Sequence, residues 1–204
     1  MCLIVLGSQR FDRLPQLLPH DPQDTPLAYV PTAADLLDDP EWIGREPDAL
    51  HDMGFPITIL SLTGAASGEV AAVLASTVAV YLAGGNPWYL LHQANLSGFT
   101  ALVPDLVASG RLTYVGMSAG AHLATPDLLP AVRETTRSVV PGLVTTSAMG
   151  IVPFSVVPHF GQEHRAEHHS QILSRPQVRP LVPITDEQFI VVCGTSWTIV
   201  SAVT

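Results

Sequence analysis

Residues 114 to 122 read YVGMSAGAH. An apolar, β-branched run, RLTYVGMS, leads in, and AGAHLATPDLL resumes a helical pattern. The stretch therefore predicts a strand that enters a sharp turn and a helix that leaves it. Gly116-Met117-Ser118-Ala119-Gly120 matches G-x-S-x-G. At such a corner the glycines permit a strained turn, and the serine oxygen stands free above the end of a sheet. Its backbone neighbour Ala119 then offers an N–H to an oxyanion, near the positive end of a helix. The competing reading is a serine that merely caps the next helix.

Working outward, the same alternation repeats. CLIVLG, TPLAYVPTAAD as far as Pro31, FPITILSLTG and TVAVYLAGGN read as strands before the corner. Helical patterns lie between them at residues 40–53, in SGEVAAVLAS with Ser67 as cap, and in PWYLLHQANLSGFTALVPDLVASG. VPFSVVPHF reads as a further strand, and QFIVVCG with SWTIVSAV as a closing hairpin. Short Val/Ile-rich strands separated by helices predict an α/β fold with a mostly parallel central sheet covered on both faces. No internal repeat or linker interrupts the pattern, so residues 1–204 are expected to form one α/β domain.

The chain carries 18 acidic and 9 basic residues, for a formal charge of −9. That balance argues against a nucleic-acid backbone or an anionic membrane as partner. Every basic residue is arginine. The absence of lysine excludes Schiff-base chemistry, a pyridoxal phosphate anchor and a Walker-type phosphate loop. GSQRFD after the first strand lacks G-x-G-x-x-G, which argues against a dinucleotide cofactor; none is expected. Cys2 and Cys193 stand at opposite ends, and the apolar start has no basic leader, so a reduced cytoplasmic protein is expected.

Gly84-Gly85-Asn86 ends the strand before the corner. In a parallel sheet that end opens on the same side as Ser118, so the Gly85 N–H is a candidate second oxyanion donor. Asn86 before Pro87 equally suits a helix cap. His159, after FSVVP, is the candidate general base. The carboxylate that orients such a histidine often lies between serine and histidine, the order of α/β-hydrolases, and only Asp127 and Glu134 lie there. Either is also readable as a solvated charge. His164 and His168 are four apart, but no third ligand follows at a diagnostic spacing, so no metal is expected.

Taken together, AVYLAGGNPWYLL, GRLTYVGMSAGAHLATPDL and GIVPFSVVPHFGQ resemble the peptidase E family in order and spacing. That family holds the α-aspartyl dipeptidases and, more distantly, cyanophycinase. LAYVPTAAD and ITDEQFIVVCG extend the resemblance over nearly the whole chain. It implies a class I glutamine amidotransferase-like, flavodoxin-like three-layer sandwich, with serine in place of cysteine at the elbow. It implies Ser118 as nucleophile, His159 as base, Gly85 and Ala119 as oxyanion donors, and Asn86 beside the substrate. The implied activity is hydrolysis of a short peptide at an acidic N-terminal residue, such as Asp-X.

Two positions depart from the family. The segment that carries the triad acid in the dipeptidases, TTND-like, reads ETTRS here, and Leu129 stands where other relatives have a glutamate. Asp127 or Glu134 would substitute. The arginine that pairs with the substrate's acidic side chain matches His168, with Arg165 nearby. A histidine holds a carboxylate with less bidentate order than an arginine. Two other readings remain open: a non-catalytic relative that binds a small ligand, and an esterase of small acyl groups. The sequence carries no signal for oligomeric state.

Overall fold

The computed structural model describes residues 3–38, 41–129 and 131–201. The expected alternation is present: β1 (Leu3–Gly7), α1 (Leu14–Leu17), β2 (Leu27–Val30), α2 (Glu41–Asp52), β3 (Ile57–Ile59), α3 (Ser67–Ala75) and β4 (Ala79–Leu82). Then come α4 (Pro87–Leu96), α5 (Phe99–Ala108), β5 (Thr113–Met117), α6 (Ala119–Leu123) and β6 (Ser155–Val157). The chain closes with α7 (Ala166–Leu173), β7 (Leu181–Pro183), β8 (Gln188–Cys193) and β9 (Ser196–Ser201).

Seven strands form one sheet in the order β3-β2-β4-β5-β1-β8-β9. The first five run parallel, and the hairpin β8–β9 adds antiparallel at β1. Side chains alternate between faces along each strand. Ile4, Leu6, Val80, Leu82 and Tyr114 pack on one side with residues of α3, α4, α5 and α6. Leu3, Val5, Tyr29, Tyr81 and Val115 pack on the other with Leu14 of α1 and Leu50 of α2. Helix, sheet and helix thus make the three-layer sandwich. No helix among the described residues is long and apolar enough to cross a membrane.

Three local expectations are corrected. The helix expected across PWYLLHQANLSGFTALVPDLVASG is two helices, because Gly98 takes φ of 77° and starts α5 afresh. The helix after the corner stops at Leu123. Pro126 disfavours helical backbone at Thr125, whose hydroxyl hydrogen-bonds the His122 and Asp127 carbonyl oxygens. The strand in VPFSVVPHF shrinks to β6, which leaves the main sheet and pairs in parallel with β7.

Candidate active site

The ends of β1, β4 and β5 open on one edge of the sheet, where open α/β sheets place their ligands. Ser118 sits there with φ of 48° and ψ of −98°, a left-handed φ that a non-glycine residue adopts only under constraint. The constraint comes from its neighbours. A Cβ on Gly116 would lie 2.5 Å from the Gly120 carbonyl oxygen, and one on Gly120 would lie 2.5 Å from the Leu82 carbonyl oxygen. The two glycines therefore let α6 press against β5 and β4. The buried Tyr114 hydroxyl donates to the Gly120 carbonyl at 2.7 Å, and the Ser118 N–H donates to the Gly7 carbonyl at 2.9 Å. With its backbone pinned on both sides, the serine has its hydroxyl facing the open edge.

His159 comes from the far part of the chain, just after β6. It too has a positive φ, 60°. Its backbone N–H donates to Ser8 Oγ at 3.0 Å, and the Ser8 hydroxyl donates to the Ile184 carbonyl at 3.3 Å. Its ring joins two groups. Nε2 lies 2.8 Å from Ser118 Oγ, and Nδ1 lies 2.7 Å from Asp186 Oδ1. The second Asp186 oxygen accepts from Gln162 Nε2. A carboxylate on Nδ1 holds the proton there, which leaves Nε2 free to accept the serine proton. Burial lowers the His159 pKa below its usual 6.5, an effect that Asp186 opposes and nearby Arg165 reinforces. The imidazole is therefore neutral, as a base must be, down to lower pH than a free histidine.

Asp186 was not among the acids singled out in the sequence, and Asp127 does not reach His159. The Asp127 carboxylate accepts from the Leu129 N–H at 2.8 Å and the Thr146 hydroxyl at 2.9 Å, so it closes the loop that follows α6. The Glu134 side chain lies outside the described residues. The chain order is thus serine, histidine, acid, which the α/β-hydrolase order hid. The one sequence signal for Asp186 was its place in ITDEQ, beside a strand that the family resemblance already covered.

The remaining candidates surround Ser118. Gly85 takes φ of 137°, and a Cβ there would lie 2.2 Å from the Ala33 carbonyl oxygen. Only glycine fits that contact. The next N–H, of Asn86, donates to the same Ala33 carbonyl at 2.7 Å. Asn86 Oδ1 accepts from the Trp88 and Tyr89 N–H groups, so Asn86 is the cap of α4 and also lines the site.

Two cavities meet at Ser118, one of about 840 Å³ and one of about 350 Å³. Ser118, Gly85, Leu37 and Arg165 line both. His159 and Gln162 face the larger cavity; Ala119, Asn86, His122 and His168 face the smaller. His168 Nε2 lies 3.3 Å from the Ala131 carbonyl, and burial lowers its pKa, so its ring is neutral and partly engaged. Arg165 Nε is buried with no partner. Buried His122 has its pKa pushed down to about 3, chiefly by desolvation, and its Nδ1 has no partner.

Known proteins resemble this chain over most of its length. Residues 7–200 match the model of peptidase family S51. An uncharacterized peptidase of Pasteurella multocida strain Pm70 is 28% identical over 171 residues, which is 83% of this chain and 82% of that protein. Peptidase E of Streptomyces coelicolor is 30% identical over 157 residues, 74% of this chain and 60% of that protein. Among solved structures, a Listeria monocytogenes EGD-e chain assigned to peptidase E superposes with a TM-score of 0.86 at 22% identity, covering 98% of both chains. A relation at that identity speaks for the fold, and the family match over nearly the full length speaks for the chemistry. The chain belongs to peptidase family S51, the peptidase E family of serine peptidases.

Proposed function

We propose that this protein hydrolyses short peptides with an acidic N-terminal residue through an acyl-enzyme on Ser118. The observation that carries the reading is the continuous hydrogen-bond chain from Ser118 Oγ through the His159 ring to Asp186. His159 Nε2 takes the serine proton as Oγ bonds to the peptide carbonyl carbon. The carbonyl electron pair moves onto its oxygen, which the N–H groups of Gly85 and Ala119 hold; one such donor is worth about 3–4 kcal/mol. Collapse breaks the C–N bond, and His159 gives its proton to the leaving amine. Water then repeats the sequence on the ester and frees the acid. Asp186 keeps the proton on Nδ1 and stabilises the imidazolium, and Gln162 holds Asp186.

The smaller cavity suits the acyl residue, because it contains the Ala119 side of the oxyanion site. Its size fits one amino-acid side chain, and Arg165, with an unpartnered Nε, supplies the charge for a carboxylate there. His168 is the weaker partner, being held by the Ala131 carbonyl. Labelling with a fluorophosphonate probe tests the nucleophile: wild type is expected to label and Ser118→Ala not to. Equal labelling of the two would remove Ser118 from the mechanism. Amine release from Asp-X, Glu-X and Asn-X dipeptides tests the acyl residue, with Asp-X expected to be fastest.

A further inference from the structure

The larger cavity contains a carboxyl group that the hydrolytic mechanism does not use. Glu46, on α2, lines it, yet only 7% of the residue is exposed. Tyr29 Oη donates to Glu46 Oε2 at 2.6 Å and Tyr81 Oη to Oε1 at 2.7 Å. Both phenols rise from the sheet, Tyr29 from β2 and Tyr81 from β4, and both are buried. No arginine or histidine among the described residues pairs with this carboxyl. Burial raises the Glu46 pKa, an effect that the two phenol hydrogen bonds oppose, and a cation brought beside this carboxyl favours its ionised form.

Direction of the reaction decides what enters this cavity. His159 must deliver its proton to the leaving amine, and its ring opens on the larger cavity. The residue C-terminal to the cleaved bond therefore lies there. The wall of the same cavity includes Phe11, Leu37, Ala49 and Met53. These are apolar surfaces, suited to an aliphatic stem. Arg10, which pairs with Asp12 at 2.7 Å and Glu187 at 2.9 Å, and Arg45 also line this cavity.

Resting on the peptidase reading of the same site, we propose that Glu46 makes the leaving-residue pocket select a long aliphatic side chain with a cationic tip, lysine or arginine. The stem packs on the apolar wall, and the ammonium or guanidinium reaches Glu46. Glu46 also ties α2 to the sheet through the two tyrosines, so a loss of stability on its replacement would not by itself speak for selection.

The test compares lysine with norleucine, which keeps a straight aliphatic stem but lacks the ammonium. Wild type is expected to cleave Asp-Lys with a kcat/KM about tenfold above Asp-norleucine, the scale of one charge-assisted hydrogen bond. Glu46→Gln is expected to bring that ratio close to one, and Glu46→Asp to leave it between. Thermal stabilisation of the wild-type protein by free lysine against free norleucine reads the same preference without turnover and without a variant that must fold. A wild type that cleaves both peptides equally, or is stabilised equally by both amino acids, overturns the proposal. So does a lysine preference that survives in folded Glu46→Gln. If wild type cleaves neither peptide and takes no fluorophosphonate, the peptidase reading fails, and the lysine-against-norleucine stabilisation still decides whether Glu46 selects a cation.

Discussion

Two residues with left-handed backbone, Ser118 and His159, face each other across 2.8 Å. Strain of this kind costs about 1–3 kcal/mol per residue and persists only where the surroundings enforce it. Here the enforcing contacts are the Ser118 N–H on Gly7 and the His159 N–H on Ser8. Asp186 completes the line of charge. Replacing it with Asn removes the acceptor for Nδ1–H and lets the ring take the wrong tautomer; kcat is expected to fall by about 10³–10⁴-fold. Asp127→Asn is expected to leave kcat within a few-fold of wild type, because Asp127 serves the loop after α6. Steady-state kinetics of the two variants on one substrate separates the two acids. The pH profile of kcat/KM adds a check. Wild type is expected to lose activity on acidification with a midpoint below 6.5, since burial lowers the His159 pKa. In Asp186→Asn the remaining activity should persist to lower pH still, because the carboxylate that raises that pKa is gone.

Elements carry the corner. α6 is five residues long, too short to hold itself by its own hydrogen bonds, and is fixed by contact with β5 and β4. Gly120 is the point of closest approach: a Cβ would lie 2.5 Å from the Leu82 carbonyl oxygen and 2.7 Å from Leu82 Cβ. Both belong to a central strand that cannot yield as a side-chain tip can. Gly120→Ala is therefore expected to push α6 off β4, to destabilise the fold by about 1–3 kcal/mol, and to slow fluorophosphonate labelling of Ser118. Urea unfolding and labelling rate measure the two effects. A stable variant that labels at the wild-type rate would show that the helix does not need this contact.

At the scale of the whole molecule, the site joins two sheets. Ser118 and Gly85 follow strands of the main sheet, while His159 and Asp186 follow β6 and β7 of the small one. Ser8, at the end of β1, is the bridge: it accepts from His159 and donates to Ile184, which themselves flank the small sheet. Buried and with both bonds inside the protein, it holds the His159 ring at the height of the Ser118 hydroxyl. Ser8→Ala leaves the His159 N–H without its acceptor. The expected outcome is a loss of about 1–3 kcal/mol of stability together with a fall in kcat larger than the change in KM, read by thermal unfolding and by kinetics.

Much of this was written locally in the chain. Alternating buried strands and helical runs set the parallel sheet, because side-chain period fixes which face each residue covers. G-x-S-x-G set the corner, because only glycine tolerates the approach of α6 at positions 116 and 120. GGN set the turn beside it, because Gly85 alone fits against Ala33 and Asn86 caps α4. The acid that meets His159 was different. Asp127 and Asp186 are both aspartates beside turn residues, and the place of Asp186 in ITDEQ does not say that it meets His159. His159 stands 41 residues from Ser118 and 27 from Asp186, so their meeting depends on where β6 and β7 dock. The same holds for Glu46, which reads as one more acid on a surface helix until Tyr29 and Tyr81 are seen beneath it. Backbone pattern is a matter of near neighbours and is legible in sequence; the partner of a charged side chain is a matter of distant neighbours, and only tertiary packing chooses it.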